Sequence, residues 1–172
     1  MRLNLGAGEW MLEGWENIDI TGPDPVDLTV HPWPFSDASA SEILASHVLE
    51  HFDHYQAVIF LDECKRILKP GGTLHIAVPD MDKFIDCLNA GDWTPLAGYQ
   101  WRDLNHFMGG DGSEPRPEMR HKYMWCWGSL YYPLSYRFAE VKLRDGPAAF
   151  DNPRYAPISL YVDAVKASQG DE

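Results

Sequence analysis

Short apolar runs separated by turn residues fill the first half of the chain, and a sustained helical period appears once among them. Residues 2–5 and 16–20 read as strands, residues 26–30 as a third, and Glu42 to Ser46 as a fourth. Between the first two strands, Gly8 to Trp15 leaves room for about one helical turn. Pro32-Trp33-Pro34-Phe35 excludes helix, because proline restricts both itself and the residue before it. A short helix is expected around Val48 to Phe52. From His54 to Leu68 the residues Val58, Ile59, Leu61, Cys64, Ile67 and Leu68 recur at helical spacing, with Asp53 placed as a cap. Lys65, Arg66 and Lys69 gather where cations offset the helix dipole, and Pro70-Gly71-Gly72 stops the helix. Thr73 to Val78 is the fifth strand.

After Asp80 the pattern changes. Met81 to Leu88 reads as helix, and residues 89–127 are irregular and rich in aromatics, Gly and Pro. Gly128 to Tyr136 reads as helix, while Phe138 to Arg144 and Ser159 to Val165 alternate like strands and would close the sheet as an antiparallel pair. Strands alternating with helices predict an α/β fold. The expectation is a Rossmann-like, doubly wound, mostly parallel seven-stranded sheet with an antiparallel C-terminal strand and a truncated first helix. At 172 residues the chain is expected to form one domain, with residues 81–127 as an insertion serving as lid or substrate loop.

Charge narrows the range of partners. Lys and Arg total 14 against 26 Asp and Glu, a net charge of -12, so the basic face that phosphate-driven nucleic-acid binding needs is not expected. Cys64, Cys87 and Cys126 are widely spaced and form no CxxC pair, which argues against a thiolate metal site and fits a reducing compartment. Cys64 is expected as a small core residue. The first residues read as a strand rather than a charged segment followed by an apolar stretch, and no apolar run reaches the ~20 residues of a membrane helix. A cytoplasmic protein without membrane contact is expected.

The candidate chemistry begins at Gly6-Ala7-Gly8, directly after the first strand, and at Asp19, which closes the second. Glycine lets backbone approach a ligand closely, and a carboxylate can accept from both hydroxyls of a ribose. A nicotinamide fingerprint would need a third glycine, and Met11 stands at that place. The run His47-Val48-Leu49-Glu50-His51 matches H-x-x-E-H, in which two histidines four apart on a helix share a face and can bind zinc. A five-residue match is weak evidence, so no metal is expected, and Glu50 and His51 are read mainly as hydrogen-bonding partners of nearby loops. Trp10 is read as packing rather than as a lid. The aromatics of residues 89–127, among them Trp93, Trp101, Tyr123 and Trp125, allow either a satellite apolar cluster or a substrate-covering role.

In order along the chain stand Leu3 to Gly8, Asp19, Asp27-Leu28, Pro34-Phe35-Ser36-Asp37, Ser46-His47-Val48-Leu49-Glu50-His51 and Arg66-Ile67-Leu68-Lys69-Pro70-Gly71-Gly72-Thr73-Leu74. Together they resemble the class I S-adenosylmethionine (SAM)-dependent methyltransferases, in the small type 11 group, over about residues 2–80. The resemblance implies SAM as cofactor. By position, Gly6, Ala7 and Gly8 would pass under its methionine part and Asp19 would hold the ribose. Ile20 would pack on the adenine, Asp27 and Leu28 would meet the adenine edge, and His47 would lie near the methionine end. Lys69 to Gly72 would form a structural turn. The family usually has a full helix between the glycine turn and the acidic strand, and another before strand one. This sequence shows neither, so an open site is expected, covered by residues 89–127 or by the second subunit of a homodimer.

The implied reaction is methyl transfer to an oxygen or nitrogen of a small-molecule or sugar-like acceptor. In-line displacement at a sulfonium depends on positioning and desolvation more than on any metal. A general base near neutral pKa would come from His47, His106 or His121, with Asp80 and Asp103 as weaker candidates. Two other classes compete: a non-catalytic SAM- or nucleoside-binding or scaffold protein with a degenerate methyltransferase fold, and a zinc hydrolase built on His47, Glu50 and His51.

Overall fold

A computed structural model describes residues 1–96 and 120–170. Six strands form one sheet: β1 (Arg2–Leu5), β2 (Glu16–Ile18), β3 (Ala40–Ser46), β4 (Leu68–Pro79), β5 (Glu140–Arg144) and β6 (Ser159–Val165). Their order is β2-β1-β3-β4-β6-β5. The pairs β1–β2, β1–β3 and β3–β4 are parallel, and β6 runs antiparallel to both β4 and β5. This is the doubly wound α/β order with a reversed C-terminal strand. From β1 the chain moves to β2 on one side and then to β3 on the other. That reversal opens a crevice at the carboxyl ends of β1 and β3, where ligands of such sheets bind.

The sheet has six strands among the described residues, where seven were expected, because residues 26–30 do not form one. The Val26 amide donates to the Asp19 carbonyl (2.9 Å), but the Asp27 carboxylate then accepts from the Thr29 amide (2.8 Å) and hydroxyl (2.6 Å). A side chain that satisfies its own neighbourhood competes with a strand ladder. The same device shortens β2. The Asp19 carboxylate accepts from the Thr21 amide (3.0 Å) and hydroxyl (2.8 Å), so the strand stops at Ile18. Gly8 to Trp15 holds turns and no helix, as its length required.

The central strands are buried along most of their length, from Leu74 to Pro79 in β4 and Ile43 to Ala45 in β3, as covered parallel strands should be. Helix α1 (His54–Ile67) begins at a reciprocal capping box of Asp53 and Gln56. It buries Ala57, Phe60, Leu61, Cys64 and Ile67 in the main core, whereas Val58 and Ile59 stay partly exposed. Ala57 and Phe60, outside the expected set, belong to the buried face together with Leu61, Cys64 and Ile67. Arg66 then fastens the proline-rich loop, donating to the Phe35 carbonyl, Asp37 and Glu63, while Glu63 accepts from the Trp33 amide.

Strand β4 starts at Leu68, so Lys69-Pro70-Gly71-Gly72 lies within a strand where a turn was expected. The register slips there: Ala40 pairs with Leu68, but Glu42 pairs with Thr73. The extra residues bulge toward the C-terminal strand, and the Gly71 amide reaches the Lys166 carbonyl (3.1 Å). Helices α2 (Met81–Ala90) and α3 (Trp127–Ser135) complete the fold within one to two residues of their expected ends. Among the described residues no helix is long and apolar enough to cross a membrane. Cys64, Cys87 and Cys126 are free thiols, and burial pushes the Cys64 thiol well up.

Candidate functional site

The crevice at the switch point divides into two adjoining cavities that share Gly6, Gly8 and His47. The first, about 180 Å³, lies between the ends of β1 and β2 and the 3-10 turn Leu49–His51. Asp19, Ile20, Asp27, Leu28, Val48 and Lys122 are among its walls. The second, about 540 Å³, runs over Asn4, Ala7, Trp10 and Ser46 toward Asn152, Arg154 and Tyr155. All the expected cofactor residues therefore converge: Gly6, Gly8, Asp19, Ile20, Asp27, Leu28 and His47 in the first cavity, Ala7 in the second.

The glycine turn is demanded by two separate constraints. Gly6 and Gly8 both adopt left-handed backbone, with φ of 62° and 49°. A Cβ on Gly6 would lie 2.4 Å from Val48 Cγ2, whereas one on Gly8 would meet open space. Gly6 is thus required by the contact between the turn and the segment after β3, as well as by its φ. The Gly8 amide donates to Asp19 Oδ2 at 2.9 Å and ties the turn to the acid at the end of β2.

Both rim carboxylates stay ionised. Partial burial pushes Asp19 up, but hydrogen bonds from the Thr21 amide and hydroxyl and the Gly8 amide outweigh it and hold the group below the usual range. Asp27 is lowered by the hydroxyl and amide of Thr29. A carboxylate has about four acceptor positions, so each keeps capacity for a ligand's donors. Between them Ile20 is 52% exposed, an apolar side chain at a cavity wall with no protein cover. An exposed apolar face flanked by two anionic acceptors suits a flat heterocycle with a diol and an exocyclic amine, so these residues fit an adenosine group. Thr21 and Thr29 were missed in the sequence. The repeated Asp-x-Thr of Asp19-Ile20-Thr21 and Asp27-Leu28-Thr29 was the available signal.

His47 sits where the two cavities join, in left-handed backbone with φ of 56°, a conformation costly for a residue with a Cβ. Its amide donates to the Ala77 carbonyl (2.8 Å). The ring is held on both edges: Nε2 is 2.7 Å from Ser159 Oγ, and Nδ1 is 3.3 Å from Glu50 Oε1. Tyr155 lies against its face, with ring centroids 4.1 Å apart. Neither Ser159 nor Tyr155 carried a sequence signal, since both arrive from the far end of the chain. His121 lines neither cavity and faces Glu50 instead, 4.0 Å from Oε1. His106 and Asp103 lie outside the described residues. Asp80 caps α2, and burial raises its carboxyl.

The H-x-x-E-H reading does not survive the local geometry. The 3-10 turn spans only Leu49–His51, and His47 lies before it in left-handed backbone, so His47 and His51 share no helix face. Of the described aromatics in residues 89–127, Trp125 is buried in the main core with Tyr123 and Trp127 against it, and Trp93 packs on a small cluster of Cys87, Leu96 and Ile158. They pack rather than line the crevice. Trp10 does both, walling the second cavity while its indole N–H donates to the Phe150 carbonyl (3.0 Å).

A family model described as a methyltransferase domain matches residues 15–76. A Mycolicibacterium smegmatis protein named "Probable S-adenosylmethionine-dependent methyltransferase" is 33% identical over 72 residues, covering 42% of this chain and 26% of its own. Residues 15–76 are thus similar in sequence to a methyltransferase domain, and the strand order is that of the class I, Rossmann-like SAM-dependent methyltransferase fold. The chain spans about a quarter of the length of that curated relative. Among solved structures, a SAM-dependent methyltransferase from Archaeoglobus fulgidus superposes with a TM-score of 0.59 at 16% identity, covering 96% of this chain and 85% of that one. The CMeT domain of the citrinin polyketide synthase gives 0.59 at 16%, covering 97% and 46%. At such identities the likeness is one of fold.

Proposed function

We propose that the protein binds SAM and transfers its methyl group to an oxygen or nitrogen of a small-molecule or sugar-like acceptor. The observation that carries this reading is the pair of ionised carboxylates, Asp19 and Asp27, on either side of the exposed Ile20 and beside the glycine turn. Asp19 would accept from the ribose hydroxyls and Asp27 from the adenine amine. The methionine part would then cross Gly6-Ala7-Gly8 into the second cavity, whose remaining space between Trp10, Asn152 and Tyr155 would take the acceptor. The methyl donor is the cofactor itself. This chain's residues contribute orientation of the two reactants and exclusion of water from the line of attack.

His47 stands beside that line. With Nε2 on Ser159 and Nδ1 beside Glu50 it works as a positioning wall in the described arrangement. To act as a base it would have to leave Ser159, and His106 and His121 are the other histidines proposed for that step. Residues 81–127 as a cover, a homodimer as its alternative, and a cytoplasmic location belong to the same proposal.

Calorimetry with SAM and S-adenosylhomocysteine tests it. Micromolar binding of both, weakened at least about 10-fold in Asp19→Ala, is expected. Absence of binding by the folded chain would leave a nucleoside-free scaffold as the better reading. Transfer of labelled methyl to hydroxyl- or amine-bearing acceptors then separates an enzyme from a binding protein.

A further inference from the structure

Glu50 is 1% exposed, yet neither of its carboxylate oxygens receives a well-formed hydrogen bond from a described residue. Buried carboxylates are ordinarily satisfied by donors or by a cation, since an uncompensated one costs several kcal/mol, on the order of what holds a domain together. The groups facing this one are imidazoles. His47 Nδ1 approaches Oε1 to 3.3 Å and His121 Nε2 to 4.0 Å. His51, the next residue in the 3-10 turn, meets His121 edge to face with ring centroids 5.2 Å apart. One ligand atom each from Glu50, His51 and His121 lies within 4.8 Å of the others.

The backbone around the cluster is fixed. The Lys122 and Tyr123 amides donate to the Glu50 carbonyl at 2.7 and 3.2 Å. His51 Nδ1 is 3.4 Å from the Arg120 carbonyl. With the proton on Nδ1 directed at that carbonyl, Nε2 carries a lone pair, which is how a second partner orients a ligating histidine.

We propose that Glu50, His51 and His121 bind a divalent transition metal of the zinc class. Two imidazoles and one carboxylate are an established three-residue donor set for zinc, with water completing the tetrahedron. Ligand atoms in a tetrahedral zinc site stand about 3.4 Å apart, so side-chain rotation has to close the present cluster by about an ångström. His47 keeps its contact with Ser159 and stays outside the set. The ion would clip Arg120–Tyr123 to the turn after β3. His51 and Lys122 also line the first cavity, so this clip would brace a wall of the crevice. The site takes its third ligand from His121, far along the chain, and uses only the adjacent Glu50 and His51 of the H-x-x-E-H run, without His47.

Titration of chelator-treated full-length protein with zinc, followed by calorimetry, is the first test. One ion per chain at micromolar affinity or better and a raised thermal midpoint are expected. Cobalt in its place should give the intense visible absorption of tetrahedral coordination. His121→Ala and His51→Ala should each weaken binding at least about 100-fold. His54→Ala, an exposed histidine outside the cluster, should leave it unchanged. X-ray absorption of the zinc-loaded wild type gives a reading that needs no variant, and it should find two imidazoles and only oxygen besides. No saturable binding, binding that survives both histidine variants in folded protein, or sulfur in the coordination shell would each overturn the proposal. None of these outcomes depends on SAM.

Discussion

Two groups of carboxylates flank the crevice and are built in opposite ways. Asp19 and Asp27 sit at the rim, each satisfied by the threonine two residues on. Glu50 is buried, and its neighbours come from residues 47, 51 and 121. The rim acids are local devices that can face a ligand without bearing on the fold. Glu50 joins the end of β3 to a distant return of the chain, so removing it should unbalance both. Glu50→Ala is expected to cost about 3 kcal/mol, since breaking a buried charge pair is among the largest single-residue losses. Asp19→Ala should cost less than about 1 kcal/mol. Urea unfolding of the two variants measures the difference, and equal losses would erase the distinction between rim and interior.

The same contrast has a pH dependence. Complete burial pushes the Glu50 carboxyl up, but His47, together with the charges of His51 and His121, pulls it down to about 2 from an ordinary 4.5. The native group thus ionises at lower pH than the unfolded one. Its contribution is complete above about pH 4.5 and is lost as pH falls toward 2. Wild-type stability should decline more steeply than that of Glu50→Gln between pH 5 and 3, by roughly 1–2 kcal/mol. Parallel declines would show that Glu50 is not held ionised by its imidazoles.

The two glycines divide along a related line. Gly6→Ala meets both a left-handed φ and the Val48 side chain, and should cost about 2–3 kcal/mol and abolish cofactor binding. Gly8→Ala meets the φ alone and should cost about 1 kcal/mol. Thermal midpoints rank them, and Val48→Ala should recover part of the Gly6→Ala loss. No recovery would mean that the contact with Val48 is not what requires glycine at Gly6.

Legibility in the sequence follows the range of the contacts. The Asp53 cap of α1, the apolar runs Glu42 to Ser46 and Thr73 to Val78 and the Gly6-Ala7-Gly8 turn are decided within a few residues, and each stands where the pattern puts it. The third strand failed because apolar content at residues 26–30 was counted without the Asp27–Thr29 turn that consumes its backbone. The bulge at Lys69 to Gly72 was hidden because its partners, Ser41 and Lys166, lie far away in the sequence. The neighbours of His47 were out of reach for the same reason. Nothing near Ser159 or Tyr155 announces that both pack on a histidine more than a hundred residues earlier.

The finest difference expected is the one between the two rim acids themselves, which look alike in sequence and in turn geometry. They differ in one bond: Asp19 also accepts from the Gly8 amide, whereas Asp27 is held by Thr29 alone among the bonds described. Substituting Asp19 therefore removes a ligand contact and loosens the glycine turn together, while substituting Asp27 removes a contact at the adenine edge. Asp19→Asn should weaken S-adenosylhomocysteine binding by about 10–100-fold, the loss of one or two charge-assisted hydrogen bonds. Asp27→Asn should weaken it by about 5-fold, because an amide oxygen still accepts and the group is nearly surrounded by water. If Asp27→Asn is the more damaging change, the nucleoside lies the other way round in the crevice, with its sugar toward Thr29 and its base toward the glycine turn.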